Sequence, residues 1–385
     1  MRAEHCRKLC CPKCAGELRS VAFAEADGGG VRDGILLCER CHLRYPVINH
    51  VPVLLLFRTA VHDQFNRRYS GPLASWASFR SPDEEPLPGE RTTQDTFTEE
   101  WDLIKVEDDE LSFTYTHEDL VRLNREVWLK WLKRGPAEIA ELLVVGCGAG
   151  KEAAALSELL PEARIFATDL NLSVIRIGEK LANHPRIHVT ICSLFHLPFK
   201  RESFDLVYSQ GVLHHNRSTR EAFDAISPFV RPAGHLFIWV YGLDDHLLKK
   251  GVLGVISRFN YHLEAILRPG LSRAPKFLRE TFFHVAGFVL HPLILTRIRH
   301  KGKWQMRHTI HGLRDWLSPR YAHLHGYNEV IEWFERGGFD VMDVQSTGAY
   351  RDLFNKQLWG VGMTGQKRLS AGGSAEPAPG TGKIP

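Results

Sequence analysis

The chain has 385 residues, 44% of them hydrophobic, with a formal net charge of +4. That length exceeds one minimal domain and supports a sizeable core, while so mild a charge does not by itself identify a nucleic-acid partner. Residues Met1 to Cys6 lack the apolar core of a signal peptide, and the most apolar stretch, 282–295, falls short of the ~20 residues of a spanning helix. The expectation is a cytoplasmic enzyme without a transmembrane segment, whose eight cysteines serve metal binding or stay free thiols rather than form disulfides.

Residues 1–57 carry two knuckles, Cys11-Pro12-Lys13-Cys14 and Cys38-Glu39-Arg40-Cys41. Each Cys-x-x-Cys pair can chelate one edge of a tetrahedral ion, and four thiolates satisfy a structural zinc with no open coordination position. A redox role for the pairs is the alternative. The long spacer between knuckles is absorbed by a hairpin tip at Gly28-Gly29-Gly30. Cys6 and Cys10 read as ordinary thiols, although Cys10 could compete with Cys11 as a ligand.

Residues 58–135 open with a Pro-rich linker, Ser81 to Gly89, and then place Leu120, Leu123, Val127, Trp128, Trp131 and Leu132 at helical spacing. Residues 136–242 alternate strands (Glu141–Val145, Arg164–Thr168, His188–Ile191, Phe204–Ser209, His235–Tyr241) with helices (Ala153–Leu160, Ser173–Ala182, Thr219–Val230). That rhythm predicts an α/β fold with a parallel, doubly wound sheet. Residues 243–319 break the rhythm with a basic, helix-like insertion carrying Lys249, Lys250, Arg258, Arg268, Arg273, Lys276, Arg279, Arg297, Arg299, Lys301, Lys303 and Arg307. A solvated helical surface, an RNA backbone site, a peripheral membrane contact and a site for a phosphorylated or lipid-like substrate all suit such a segment. Residues 320–366 resume with helix Asn328–Arg336, a Gly337-Gly338 stop, and strands Phe339–Gln345 and Leu358–Met363. The composition of residues 367–385 predicts disorder.

The most informative segment is Leu142-Leu143-Val144-Val145-Gly146-Cys147-Gly148-Ala149-Gly150. A glycine turn between a strand and a helix lets a ligand approach the backbone at a helix N-terminus. A dinucleotide fingerprint would need glycine at Lys151. A phosphate loop would need glycine at Val145 and a hydroxyl residue at Glu152. Both fail. The Gly-x-Gly-x-Gly pattern, Ala167-Thr168-Asp169-Leu170, Leu197-Pro198-Phe199, Ser203 to Ser209, Gly211 to His215 and Arg231 to Leu236 together resemble class I S-adenosylmethionine-dependent methyltransferases of the type 11 group. The resemblance implies a Rossmann-like methyltransferase sheet and S-adenosylmethionine as cofactor. Gly146, Cys147, Gly148 and Gly150 would form its cradle, Asp169 and Leu170 the ribose contact, Ser193 and Leu194 the adenine side, and Ser209 and Gln210 the wall after the fourth strand. Two positions depart from the pattern. Val144 stands where many members carry an acid, which leaves the methionine amino group without that partner. Ser193 stands where many carry Asp.

The run Tyr45-Pro46-Val47-Ile48-Asn49-His50-Val51-Pro52-Val53-Leu54-Leu55 resembles the end of the small zinc-ribbon activator of tRNA and translation-factor methyltransferases, which acts by strand addition. Fused in cis, it would bring Val51–Phe57 to an edge or apolar face of the catalytic domain. Thr93 to Trp101 resembles a segment of ribbon-fused methyltransferases and reads either as a lid or as a packed amphipathic helix. His214 and His215 are candidate general bases with pKa values near neutrality, against the alternative of loop packing. Tyr241 is expected to shape the pocket, and Arg320, Tyr321 and His325 either reach it or stay at the surface. The leading expectation is methyl transfer to a small-molecule acceptor. An RNA methyltransferase, and a binding or activator module with a degenerate cofactor site, are the alternatives. The sequence does not specify the oligomeric state.

Overall fold

The computed structural model describes every residue except 27–28, 103–110, 112, 135–138, 183, 244–261, 265, 297–299, 357 and 370–385. Gly28 of the expected hairpin tip, insertion residues Lys249, Lys250, Arg258, Arg297 and Arg299, and the tail from 370 onward lie outside the described residues.

One eleven-stranded sheet runs through the molecule. Strands β1 (Arg19–Glu25), β2 (Val31–Cys38), β3 (Leu43–Ile48) and β4 (Val51–Leu54) form an antiparallel meander. Seven further strands follow: β5 (Glu141–Val145), β6 (Arg164–Asp169), β7 (Ile187–Cys192), β8 (Phe204–Gln210), β9 (Val230–Val240), β10 (Phe339–Val344) and β11 (Val361–Lys367). Their spatial order is β7-β6-β5-β8-β9-β11-β10. The first five are parallel, and β11 is antiparallel to both its neighbours. The order reverses between β5 and β8, which is where a doubly wound sheet opens a crevice at its carboxyl edge. Every residue of β7 is buried, as expected for a parallel strand covered on both faces.

The two glycine-poor apolar runs Val51–Leu54 and Ile187–Cys192 meet edge to edge. Strand β4 pairs in parallel with β7, Val53 opposite Ile191 and Leu54 opposite Cys192, so the cysteine-bearing meander extends the parallel sheet. The helix Ala3–Lys8 strengthens this attachment. The His5 ring lies 2.8 Å from the Thr190 hydroxyl, and the Lys8 ammonium is 3.0 Å from Glu141. Leu9, Leu36, Tyr45 and Val47 share one apolar core with Phe166, Phe199 and Phe204.

Several boundaries differ from the sequence expectation. Strand β9 begins at Val230 instead of His235, because Phe204 pairs with Val230 ahead of a register shift. The helix expected to reach Val230 stops at Ile226 and gives way to a 3₁₀ turn, Ser227–Phe229, where Pro228 has no N–H to continue it. A helix over Thr347–Phe354 was not expected; Ser346 caps it by accepting from the Ala349 N–H. No helix among the described residues is long and apolar enough to cross a membrane.

Gly178, in the helix Val174–Ala182, lies under β4: a methyl at its Cα would overlap Val51 and come 2.9 Å from the Asn49 carbonyl oxygen. At an exposed helix position Gly→Ala adds up to about 1 kcal/mol of stability; here overpacking should cost about 1–3 kcal/mol instead. Gly178→Ala is expected to lower Tm by a few degrees and to open the Asn49–Arg58 segment to protease. A raised Tm would mean that the meander is not packed on this helix.

Candidate active site and metal centre

The carboxyl ends of all five parallel strands converge on one cavity of about 940 Å³. Val145 ends β5 and Gly146 follows it, Thr168 and Asp169 end β6, Cys192 ends β7 with Ser193 after it, Gln210 ends β8 with Gly211 after it, and Trp239 and Tyr241 flank the last residue of β9. The glycines are required by conformation and by space. Gly146 has φ 80° and its Cβ would strike Val212; Gly148 has φ 51° and a Cβ there would lie 2.6 Å from the Trp101 indole. Side chains at either position would fill the cradle. Asp169 braces it, one oxygen accepting from the Gly148 N–H at 2.7 Å and the other from the Asn171 N–H at 2.9 Å. An ionised carboxylate has about four lone-pair sites, so ligand hydroxyls can still bind there. Burial pushes the Asp169 carboxyl up from its usual range, with the backbone N–H groups acting in the opposite sense.

Of the residues singled out by sequence, Gly146, Cys147, Gly148, Asp169, Leu170, Ser193, Leu194, Gln210, His215 and Tyr241 line the cavity. Gly150, Ser209 and His214 do not. Gly150 (φ 77°) is the N-cap of the helix Lys151–Leu159, and the Ser209 hydroxyl donates to the Val145 carbonyl inside the sheet. The Ser193 oxygen accepts from the Phe195 N–H, and its own hydroxyl hydrogen stays available to a ligand. Arg320, Tyr321 and His325 also lie off the wall. Tyr321 serves instead through its carbonyl, which holds the His215 Nδ1 at 2.9 Å, and His325 is anchored by Thr219 and Glu329.

The expected near-neutral histidine pKa values are not found. Burial lowers His215 to about 4 and His214 well below the usual range, the latter further opposed by the neighbouring His215. With its Nδ1–H donating to Tyr321, a neutral His215 presents Nε2 as an acceptor, a weak base at pH 7.

The helix Glu90–Trp101 crosses the crevice, with Thr93, Phe97, Glu100 and Trp101 on the cavity wall. Its Gln94 amide donates to the Leu170 carbonyl, its Thr98 hydroxyl accepts from the Leu172 N–H, and Trp101 packs on Gly148. A second helix, Met306–Leu317, meets it from the segment between β9 and β10. Here Glu99 receives Lys276 at 3.0 Å and also Arg279, whereas the Glu100 carboxyl, fully buried on the cavity wall, makes no hydrogen bond among the described residues and lies 3.7 Å from the His311 ring. Nearby Asp315 accepts from the Tyr241 hydroxyl at 3.1 Å. Burial, then the neighbouring Asp315, hold the Glu100 carboxyl well above the usual range, and burial raises Asp315 to about 6. Sequence reasoning missed Asp315 and gave Glu100 no role. The one available signal was the spacing of His308, His311 and Asp315 along one stripe of a helix; what that stripe faces depends on how the segment folds back.

The four knuckle cysteines are free thiols, their Sγ atoms all within 4.8 Å of one another. Cys14 and Cys38 are 3.6 Å apart, close to the ~3.8 Å edge of a tetrahedron with bonds of about 2.3 Å. Each knuckle turns on a left-handed residue, Ala15 (φ 54°) and His42 (φ 50°), and the Tyr45 hydroxyl lies 3.3 Å from Cys11 Sγ. Cys10 does not join the cluster; its N–H is bound to the Pro198 carbonyl.

Residues 143–238 match a family model described as a methyltransferase domain. Among curated proteins the chain is similar to a probable tRNA methyltransferase 9B of Bos taurus, 29% identical over 28% of this chain and 24% of that protein. It is also similar to a malonyl-[acyl-carrier protein] O-methyltransferase of Methylovorus sp., 26% identical over 34% of this chain and 47% of that one. The chain therefore spans less than half the length of these relatives. Among solved structures, a SAM-dependent methyltransferase from Methanosarcina mazei aligns with 62% of this chain and 98% of its own at 17% identity and a TM-score of 0.41.

Burial also sets the pH response of the fold. His62, His188, His215 and His235 are buried and lowered to about 4, whereas the unfolded chain takes up these protons near pH 6.5. Their contribution is complete above pH 6.5 and is lost as pH falls toward 4, by up to about 1.4 kcal/mol per pH unit for each histidine. The raised carboxyls act in the opposite sense: the contribution of Asp315 fades as pH rises through about 6, and the buried Glu100 carboxyl works in the same direction. Among the described residues nine histidines are lowered, with His5, His50, His184, His214 and His325 joining these four, against five raised carboxyls, with Asp95, Asp169 and Glu264 joining Glu100 and Asp315, so Tm is expected to fall from pH 6.5 to pH 5. A flat Tm over that interval would contradict the burial of these rings.

Proposed function

We propose that this chain, whose residues 143–238 form a methyltransferase domain, transfers a methyl group from S-adenosylmethionine to a small-molecule acceptor. One observation carries the reading: a single cavity joins the glycine cradle and Asp169 to a chamber walled by Phe97, Trp101, Phe113, Trp239 and Trp359. At about 940 Å³ it sits at the upper end of small-ligand sites, with room for a cofactor and a second molecule beneath the lid. The cradle that any Cβ would fill at Gly146 and Gly148, together with the Asp169 carboxylate, fits the cofactor named. When bound, that cofactor supplies an activated methyl group on a sulfonium centre.

The protein's own work is alignment, the main demand of an in-line displacement. Asp169 and the loop hold the ribose side, and Ser193 and Leu194 the base. The aromatic walls exclude water and orient the acceptor. His215 serves as a hydrogen-bond acceptor on that wall, since a ring lowered to about 4 removes protons poorly at pH 7. Glu100 takes the place of the acid missing at Val144: a buried carboxyl without a hydrogen bond is compensated when an ammonium group enters beside it. Zinc at Cys11, Cys14, Cys38 and Cys41 fixes residues 1–57 as a ribbon, structural because the protein supplies all four ligands. Residues 58–135 act as linker and lid, and 243–319 as an insertion between the halves 136–242 and 320–366 of the core.

An RNA acceptor is the second reading, favoured by the similarity to a probable tRNA methyltransferase. Against it, the insertion's Arg268, Arg279 and Arg314 are already engaged with Glu264, Glu99 and Glu280.

Calorimetry is expected to show micromolar binding of S-adenosylmethionine, weakened at least tenfold by Asp169→Ala and by Glu100→Gln. Absence of binding by folded, metal-loaded protein would sink the reading. Full-strength binding by Glu100→Gln with loss of turnover would move Glu100 to the acceptor side. Metal analysis is expected to find one zinc per chain, lost with several degrees of Tm in Cys38→Ser; a metal-free wild-type chain of the same Tm would refute the zinc site.

A further inference from the structure

The helix Lys276–Leu295 is apolar on two opposite faces. One face is accounted for: Phe283 is fully buried, Gly287 allows Ile310 to approach, Leu290 packs on the helix Met306–Leu317, and Ile294 reaches the cavity wall. The other face carries Phe277, Val285, Phe288, Val289 and Leu293, each 61–75% exposed. Their spacing makes one stripe along a helix about 30 Å long. Ile266, on the preceding helical segment, is 74% exposed. Eight of the twelve large hydrophobic residues found exposed lie between Leu263 and Leu293. Apolar side chains gathered this way mark an interaction surface, in contrast to isolated ones.

Charge selects the partner. From Ile266 to Arg307 the sequence holds nine Lys and Arg but one acid, Glu280, and Glu280 is paired with Arg314. Exposed Arg273 and Lys276, the latter also paired with Glu99, precede the stripe, and exposed Lys301 and Lys303 follow it. A second copy of the chain would set these positive ends against the same positive face or require acids that this face does not have. An apolar stripe with basic ends and, among its described residues, no exposed carboxylate is instead complementary to an anionic lipid bilayer, into whose boundary such helices sink about 5–10 Å.

We propose that the face of Lys276–Leu295 bearing Phe277, Val285, Phe288, Val289 and Leu293 docks the protein on anionic membrane surfaces, with the cavity wall at its back. The attachment is peripheral. It needs neither cofactor nor acceptor, so its test is separate from that of methyl transfer.

The test is co-sedimentation of the full chain with vesicles of equal phosphatidylglycerol and phosphatidylcholine, and with vesicles of phosphatidylcholine alone. Anionic vesicles are expected to bind at least tenfold more tightly, with the difference shrinking at high salt. The exposed double variant F288S/V289S should bind at least tenfold more weakly than wild type at unchanged Tm, and K301E/K303E should lose most of the preference for anionic lipid. No binding to anionic vesicles, or binding that F288S/V289S leaves intact, overturns the proposal. So does sedimentation showing a wild-type dimer that F288S/V289S converts to monomer, because a second copy would then cover this face.

Discussion

The reversal of strand order between β5 and β8 is the constraint from which the site follows. To the β7 side the crossovers run one way, to the β9 side the other, and the loops at the carboxyl ends part at that point. The glycine loop after β5 can turn in the opening because Gly146, Gly148 and Gly150 accept φ values of 80°, 51° and 77°. Asp169 from the next strand then fixes the loop through the Gly148 N–H. The lid contributes the remaining wall, and Trp101 can lie on Gly148 only because that residue has no side chain.

Edges of a sheet must be covered or paired, and here the cysteine-bearing meander does so. Strand β4 completes the β7 edge, while Cys38 and Cys41 of the sulfur cluster flank the β2–β3 turn of the same meander. Four cysteines with geometry for one ion stand on a unit whose core is continuous with the sheet. An ion held there would act on the crevice through β7, which carries Cys192 and Ser193 to the cavity.

The core strands were legible in the sequence because each is a short apolar run bounded by turn residues; Glu141–Val145 is found with the ends expected for it. Glycine spacing excluded two ligand classes and located the crevice, and the paired knuckles announced the sulfur cluster. Legibility failed where tertiary pairing overrides local pattern. Strand β11 runs over Val361–Lys367, beyond the expected Leu358–Met363, since β9 offers partners from Val240 back to His235. The helix Thr347–Phe354 was hidden by Gly348, a weak helix former. Charge chemistry was hidden too. That His214 is sealed against Tyr241 with ring centroids 3.9 Å apart depends on how the ends of two strands meet, and that Glu99 collects cations while the Glu100 carboxyl faces the His311 ring depends on contacts between segments far apart in the chain.

The central claim is that the cavity brings an activated methyl group to a small molecule. Incubating the zinc-loaded protein with S-adenosylmethionine labelled in the methyl group and a cell extract, then separating RNA, protein, lipid and small solutes, tests it most directly. The expected result is label in a small organic-soluble or water-soluble compound, absent with Asp169→Ala. Label confined to RNA or protein, or equal labelling by the variant, would contradict it.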